Sequence, residues 1–319
     1  MIAQARVTFS LHRFTLVAVG AMVLLGSVAA LLVAWRLRTV GVTPECLSAW
    51  PRLPLDGSAP SACQQRASEF RSIDGAWAGP LMGALGGLPP LAGLLAGVAL
   101  VAREIEDRTA PVAWSLAPSR TRWLIGRVVP VAALLTVLFA IAAIAGTELE
   151  RARQPGIDPL LSFYNDSSRG MQLVAIGILV FTTAVFVGSI LGRVLPALIM
   201  SSVVGLTLVF GVFLAESAWI PSQQLLVEFG DQSSYPGALG MDRAVVLRSG
   251  ELRPSLDYGY EQDLNGNVIG LPDGARMVWR LVPGTRHPFV DAVVASLMAA
   301  IAAVMFLLTA LVVRRRRPY

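Results

Sequence analysis

Two histidines, His12 and His287, two cysteines, Cys46 and Cys63, and no lysine leave little with which to build an active site. A Walker A loop needs a lysine to reach the nucleotide phosphates, so this chain is not read as an ATPase, and any ATP and Mg belong to a partner. Nucleophilic chemistry based on histidine, or a metal site, has nothing to assemble from: no third Cys or His lies near the cysteine pair, and the expected metal set is empty. Asp263, Asn265 and Asn267 alternate as oxygen donors do in a calcium loop. Val268 then stands at the turn glycine and Gly274 at the bidentate acid, so an Asn265-Gly266 hairpin turn explains the stretch better. The residues that remain are those of a binding surface. Between positions 103 and 127, Arg103, Glu104, Glu106 and Asp107 precede Val112, Trp114 and Leu116, and Arg120, Arg122 and Arg127 follow. Apolar anchors among charges of both signs suit a protein partner. A loop resting on lipid, with its basic residues at the head groups, serves that spacing equally well.

The elements that position this loop are apolar. Of the 319 residues 55% are hydrophobic and 15% charged, with a mean hydropathy of +0.63. A bilayer-crossing helix needs about 20 mainly apolar residues, and six charge-free stretches qualify: 14–35, 76–102, 128–147, 171–192, 194–215 and 292–313. The first is longer than a signal-peptide core and is read as a retained anchor. The second carries Gly79, Pro80, Gly83, Gly86, Gly87, Pro89, Pro90, Gly93 and Gly97, which predicts a bent helix packed closely on its neighbours. Thr136, Thr182, Thr183, Ser201, Ser202 and Ser296 add mild polarity to otherwise apolar spans.

Orientation follows from the arginines. With the N-terminus inside, segments 1–13, 103–127, Arg193 and 314–319 carry 12 Arg and 3 acids, against 14 Arg and 18 acids in the far longer 36–75, 148–170 and 216–291. That is the asymmetry the positive-inside rule requires, although Arg36 and Arg38 run against it. Residues 1–13 are read as an interfacial segment, 103–127 as a cytoplasmic loop and 314–319 as a cytoplasmic tail whose Arg314 to Arg317 contact membrane lipid rather than nucleic acid. The outer loop 36–75 holds both cysteines, and on compartment grounds Cys46 and Cys63 are expected to be bonded. Segment 216–291 is too long for a connection and predicts a small extracytoplasmic cap with β-hairpins.

Within the loop, Thr109 is placed to cap a short helix with Pro111 in its first turn, Pro118 to end it, and Ser119 to cap the helix that re-enters the membrane. Ala102-Arg103-Glu104-Ile105-Glu106, Thr109, then Ser119-Arg120-Thr121-Arg122-Trp123-Leu124 and Arg127 resemble the signature region of type 2 ABC permeases, especially their actinobacterial branch. The likeness runs on through Gly188, Gly192, Arg193 and Pro196 to the Arg-rich end. It implies an all-α membrane protein with six transmembrane helices, of the type 2 permease or type V exporter kind, in the bacterial plasma membrane. It also implies separate ABC ATPase subunits, a second permease copy, and export of an amphipathic or hydrophobic substrate. By the same resemblance Arg103, Glu104, Glu106, Thr109, Trp114, Arg120, Arg122 and Arg127 couple the ATPase to the membrane. Arg108 departs from the family pattern, which commonly has glycine before the threonine, and Arg127 stands where lysine is frequent. A sensor or resistance module acting through the cap is the alternative. A secondary transporter is disfavoured by the uncharged spans.

Overall fold

The structure, a computed structural model, describes residues 9–49, 62–116, 119–228, 234–255, 261–262, 268–269 and 271–315. Most of the predicted interfacial segment 1–13, and Pro118 and Arg316 to Arg317, lie outside them. The chain divides into two compact units: Met1–Gly156 with Asn165–Phe213 and Asp291–Tyr319, and Ile157–Tyr164 with Leu214–Val290.

In the first unit the apolar runs are helices, because no water is available in a bilayer to satisfy an open backbone. They are α1 (Arg13–Val40), α2 (Pro44–Ala49), α3 (Ala62–Ile73), α4 (Gly79–Glu106), α5 (Thr109–Leu116), α6 (Arg120–Arg153), α7 (Gly170–Leu191), α8 (Val194–Trp219) and α9 (His287–Arg315), the last two shared with the second unit. Six are long and apolar enough to cross a membrane, α4 as part of an unbroken helical run from Ala62 that passes through a π-turn at Asp74–Ala78. The chain is therefore a multi-pass membrane protein of the predicted all-α class. The predicted second span, 76–102, is the apolar part of this longer run, and the third, 128–147, lies within α6. Gly192, in the left-handed conformation at φ 62°, ends α7 and lets α8 begin two residues later.

The tightest packing joins α4 to α7. A Cβ on Gly97 would sit 2.6 Å from the Phe181 carbonyl oxygen, and one on Gly93 would meet the Gly177 carbonyl, so the two backbones touch. Pro89 and Pro90 stand inside α4, where Pro89 is buried. Leu195, Leu206 and Phe210 of α8 and Leu307 of α9 remain exposed, as side chains facing lipid do. At the ends of the helices remote from residues 103–127, Arg153 binds Asp74 (2.6 Å) and Glu150 (3.3 Å), Asn165 donates to Glu150 (3.0 Å), and Asp291 accepts from the Met171 and Gln172 amides at the start of α7 (3.1 and 2.9 Å). Cys46 and Cys63 are disulfide-bonded, with Cα atoms 5.8 Å apart.

The second unit holds β1 (Leu225–Glu228), β2 (Leu239–Val246), β3 (Leu252–Pro254), β4 (Glu261–Gln262), β5 (Val268–Ile269) and β6 (Arg276–Val282). Four of these form an antiparallel sheet in the order β1-β6-β2-β3, and β4 pairs with β5 across residues 263–267, which lie outside the described residues. The predicted cap, 216–291, thus contains strands. It also takes in Ile157–Tyr164 from the preceding loop: Phe163 N donates to Gly237 O (3.0 Å), and Leu160 O meets His287 Nδ1 (3.1 Å).

Candidate functional site

The segment between the second and third spans is built from three helix ends. α4 closes with the Asp107 amide donating to Arg103 O (2.9 Å) and the Arg108 amide to Ile105 O (3.2 Å). Arg108 then turns the chain at φ 58°, so the position read above as a departure from a family glycine does adopt the conformation glycine favours. Thr109 does not cap α5 as the sequence suggested. It is the first helical residue, and its hydroxyl donates back to Glu104 O (3.1 Å), tying α5 to the end of α4. Ser119 does cap α6, its hydroxyl accepting from the Arg122 amide (3.2 Å).

Arg108→Gly is expected to stabilise this turn by about 1 kcal/mol, because an exposed side chain is removed and a left-handed strain relieved. The thermal unfolding midpoint of the purified permease should rise. A fall would mean that the guanidinium makes a contact worth more than the strain.

The predicted anchors do not all protrude. Val112 is 61% exposed, and Ala110 is buried. Trp114 is half-buried, edge-on to the buried Trp123 at 5.8 Å between centroids, with the Arg120 guanidinium 5.0 Å above its ring. Trp114 therefore braces α5 against α6. The Leu116 side chain lies outside the described residues.

Charges two residues apart face different partners. Glu104 is 6% exposed, and one of its oxygens, Oε1, lies 3.4 Å from Arg127 Nη2 on α6 and 3.6 Å from His12 Nε2 at the entry to α1. Glu106 is exposed and accepts from the Val194 amide at 2.7 Å, placing its charge at the N-terminus of α8. Arg120 Nη1 donates to Arg314 O of α9 (3.4 Å), Arg103 pairs with Asp107 (3.6 Å), and Arg122 and Arg193 are exposed. The loop thus touches one end of α1, α8 and α9 while joining α4 to α6. Such a surface can bind and transmit force. Among the described residues no group of three or more His, Cys, Asp or Glu could hold a metal.

His12, Val194 and Arg314 were missed as parts of this site. The usable signal for His12 was a titratable residue at the boundary of the first span, on the same side as Glu104 by the predicted topology. Of the hydroxyls within the spans, Thr136, Thr182, Thr183 and Ser202 all donate to carbonyls of their own helices. Ser202 also borders an apolar cavity of about 530 Å³ between α4, α7 and α8, walled by Gly83, Gly87, Ile176 and Leu206.

A family model described as ABC-2 membrane transporter related matches residues 21–216, which include most of the first span, the next four spans and the whole of the 103–127 segment. No curated protein and no solved structure matches the chain.

Proposed function

The chain belongs to the ABC-2 membrane transporter related family, and from that premise we propose that it is the permease subunit of an ABC transporter. A separate ATPase docks on residues 103–127 and drives export of an amphipathic or hydrophobic substrate. The observation that carries this reading is the family match, which spans the loop where charged contacts to three other helices converge. The absence of lysine from the sequence supports placing ATP and Mg on the partner. Arginine density supports a cytoplasmic loop and cytoplasmic termini in the bacterial inner membrane. The apolar cavity between α4, α7 and α8 favours lipophilic cargo over ions. A second permease copy completes the transporter.

A second reading has its own observation: the chain carries a compact β-containing unit of its own, Ile157–Tyr164 with Leu214–Val290. In that reading the ATPase works this unit to sense or resist an external compound, and nothing crosses the bilayer.

Co-expression with a Walker-motif ATPase from the same gene cluster, followed by reconstitution into proteoliposomes, tests the proposal. The permease alone is expected to hydrolyse ATP at background rate, the complex well above it, and a fluorescent amphiphile should accumulate against its gradient only with ATP. Robust hydrolysis by the permease alone would overturn the assignment. Hydrolysis by the complex without movement of any amphiphile would favour the sensor.

A further inference from the structure

His12 is 6% exposed although Leu11 before it is 58% exposed and Phe14 beyond it 78%. A polar side chain buried between exposed apolar ones is there for a partner, and the partner is the carboxylate of Glu104. His12 also starts α1, its carbonyl accepting the Leu16 amide (2.9 Å), so movement of the imidazole is movement of the first span. Imidazole and guanidinium share one oxygen: Glu104 Oε1 lies 3.6 Å from His12 Nε2 and 3.4 Å from Arg127 Nη2. Neither Glu104 Oε1 nor His12 Nε2 has a hydrogen-bond partner. A gap of 3.6 Å is too long for a hydrogen bond, and the mode for N–H···O is about 3.0 Å. The two groups face each other within ion-pair distance at 3.6 Å.

We propose that His12 is a positioning residue of the coupling surface, holding α1 onto Glu104 so that the first span moves with the 103–127 segment. The role rests on the coupling function proposed above. An imidazole N–H turned to Glu104 Oε1 donates to it and draws the two helices together, and an apolar side chain at position 12 cannot. Among the described residues the charged groups facing His12 are Glu104 from α4 and, through that carboxylate, Arg127 from α6, whose positive charge moderates the gain.

The test uses the full-length permease with Val112→Cys as a reporter on α5. Both native cysteines are disulfide-bonded, so a thiol reagent reads position 112 alone. Labelling rates are measured with His12 present and in His12→Ala and His12→Gln, each as the ratio of His12 to variant at one pH. The ratio is expected to fall about threefold below one against His12→Ala, which cannot donate, and to return towards one against His12→Gln, whose amide can donate to the same carboxylate. A ratio of one against both variants, or an equal loss with both, overturns the positioning role. In the ATPase complex, His12→Ala should lower stimulated hydrolysis, normalised to the ATPase alone, and His12→Gln should restore it, without loss of co-purification. Should the labelling ratio fall as expected while the complex with His12 intact shows no stimulation, the positioning role stands and the ATP-coupling function falls.

Discussion

Glu104→Ala is expected to be the most damaging single change in the 103–127 segment, lowering stability by about 3–5 kcal/mol, the range for breaking a buried ion pair by removing one partner. The carboxylate is 6% exposed and Arg127 on α6 is held against it at 3.4 Å, so the variant removes the opposite charge from a largely buried guanidinium. His12 loses its partner at the same time. Glu106→Ala supplies the contrast. Glu106 is exposed, and its contribution is one charged hydrogen bond to the first turn of α8, about 0.3–1 kcal/mol. Thermal unfolding of the purified permease should therefore drop sharply for Glu104→Ala and barely for Glu106→Ala, although both carboxylates lie in the proposed ATPase contact. Equal midpoints for the two would mean that the Glu104 pair is solvated and that α1, α4 and α6 are joined by packing alone.

This difference between two glutamates marks the limit of what the residues disclosed by themselves. The six spans were legible because a charge-free run of about 20 residues has few other fates. Their ends were less so, since Ala62–Ile73 and the last turns of α6 are polar helix that hydropathy does not register. The loop stood out as the segment mixing anchors with charges, and Ser119 was read correctly as a cap from local chemistry. Partners distant in sequence were invisible: Glu104 with His12, Glu106 with Val194 and Arg120 with Arg314 meet only because helices of similar length align their ends. Trp114 looked like a free anchor for the same reason, its brace Trp123 lying across a turn whose geometry the spacing did not fix. In the second unit, the strands could be suspected from composition. The recruitment of Ile157–Tyr164 could not, because it depends on single contacts such as Phe163 to Gly237.

Gly97→Val is the substitution expected to separate packing from composition in α4. A Cβ at Gly97 would stand 2.6 Å from the Phe181 carbonyl oxygen and 2.7 Å from the Ala184 Cβ, and the first of these belongs to backbone that no rotamer change can move aside. Overpacking of this kind costs about 1–3 kcal/mol where neighbours can yield, and here the two helices themselves must part. Gly87→Ala is the control: nothing lies within 4 Å of its Cβ position, and alanine is the better helix former by about 1 kcal/mol. The expected pattern is loss of the folded permease with Gly97→Val and an unchanged or raised unfolding midpoint with Gly87→Ala, read by size-exclusion profile and thermal scan. The consequence reaches the proposed coupling. α4 carries both glutamates at its end, and α7, locked to it at Gly93 and Gly97, leads through Gly192 into α8, whose first amide Glu106 holds. A displacement of the loop is then delivered to α4, α7 and the start of α8 as one body. A Gly97→Val protein that folds as the parent does and keeps full stimulated ATPase would show that α4 slides past α7 freely, and the route from the loop into the bundle would have to run through α6 and Arg127 instead.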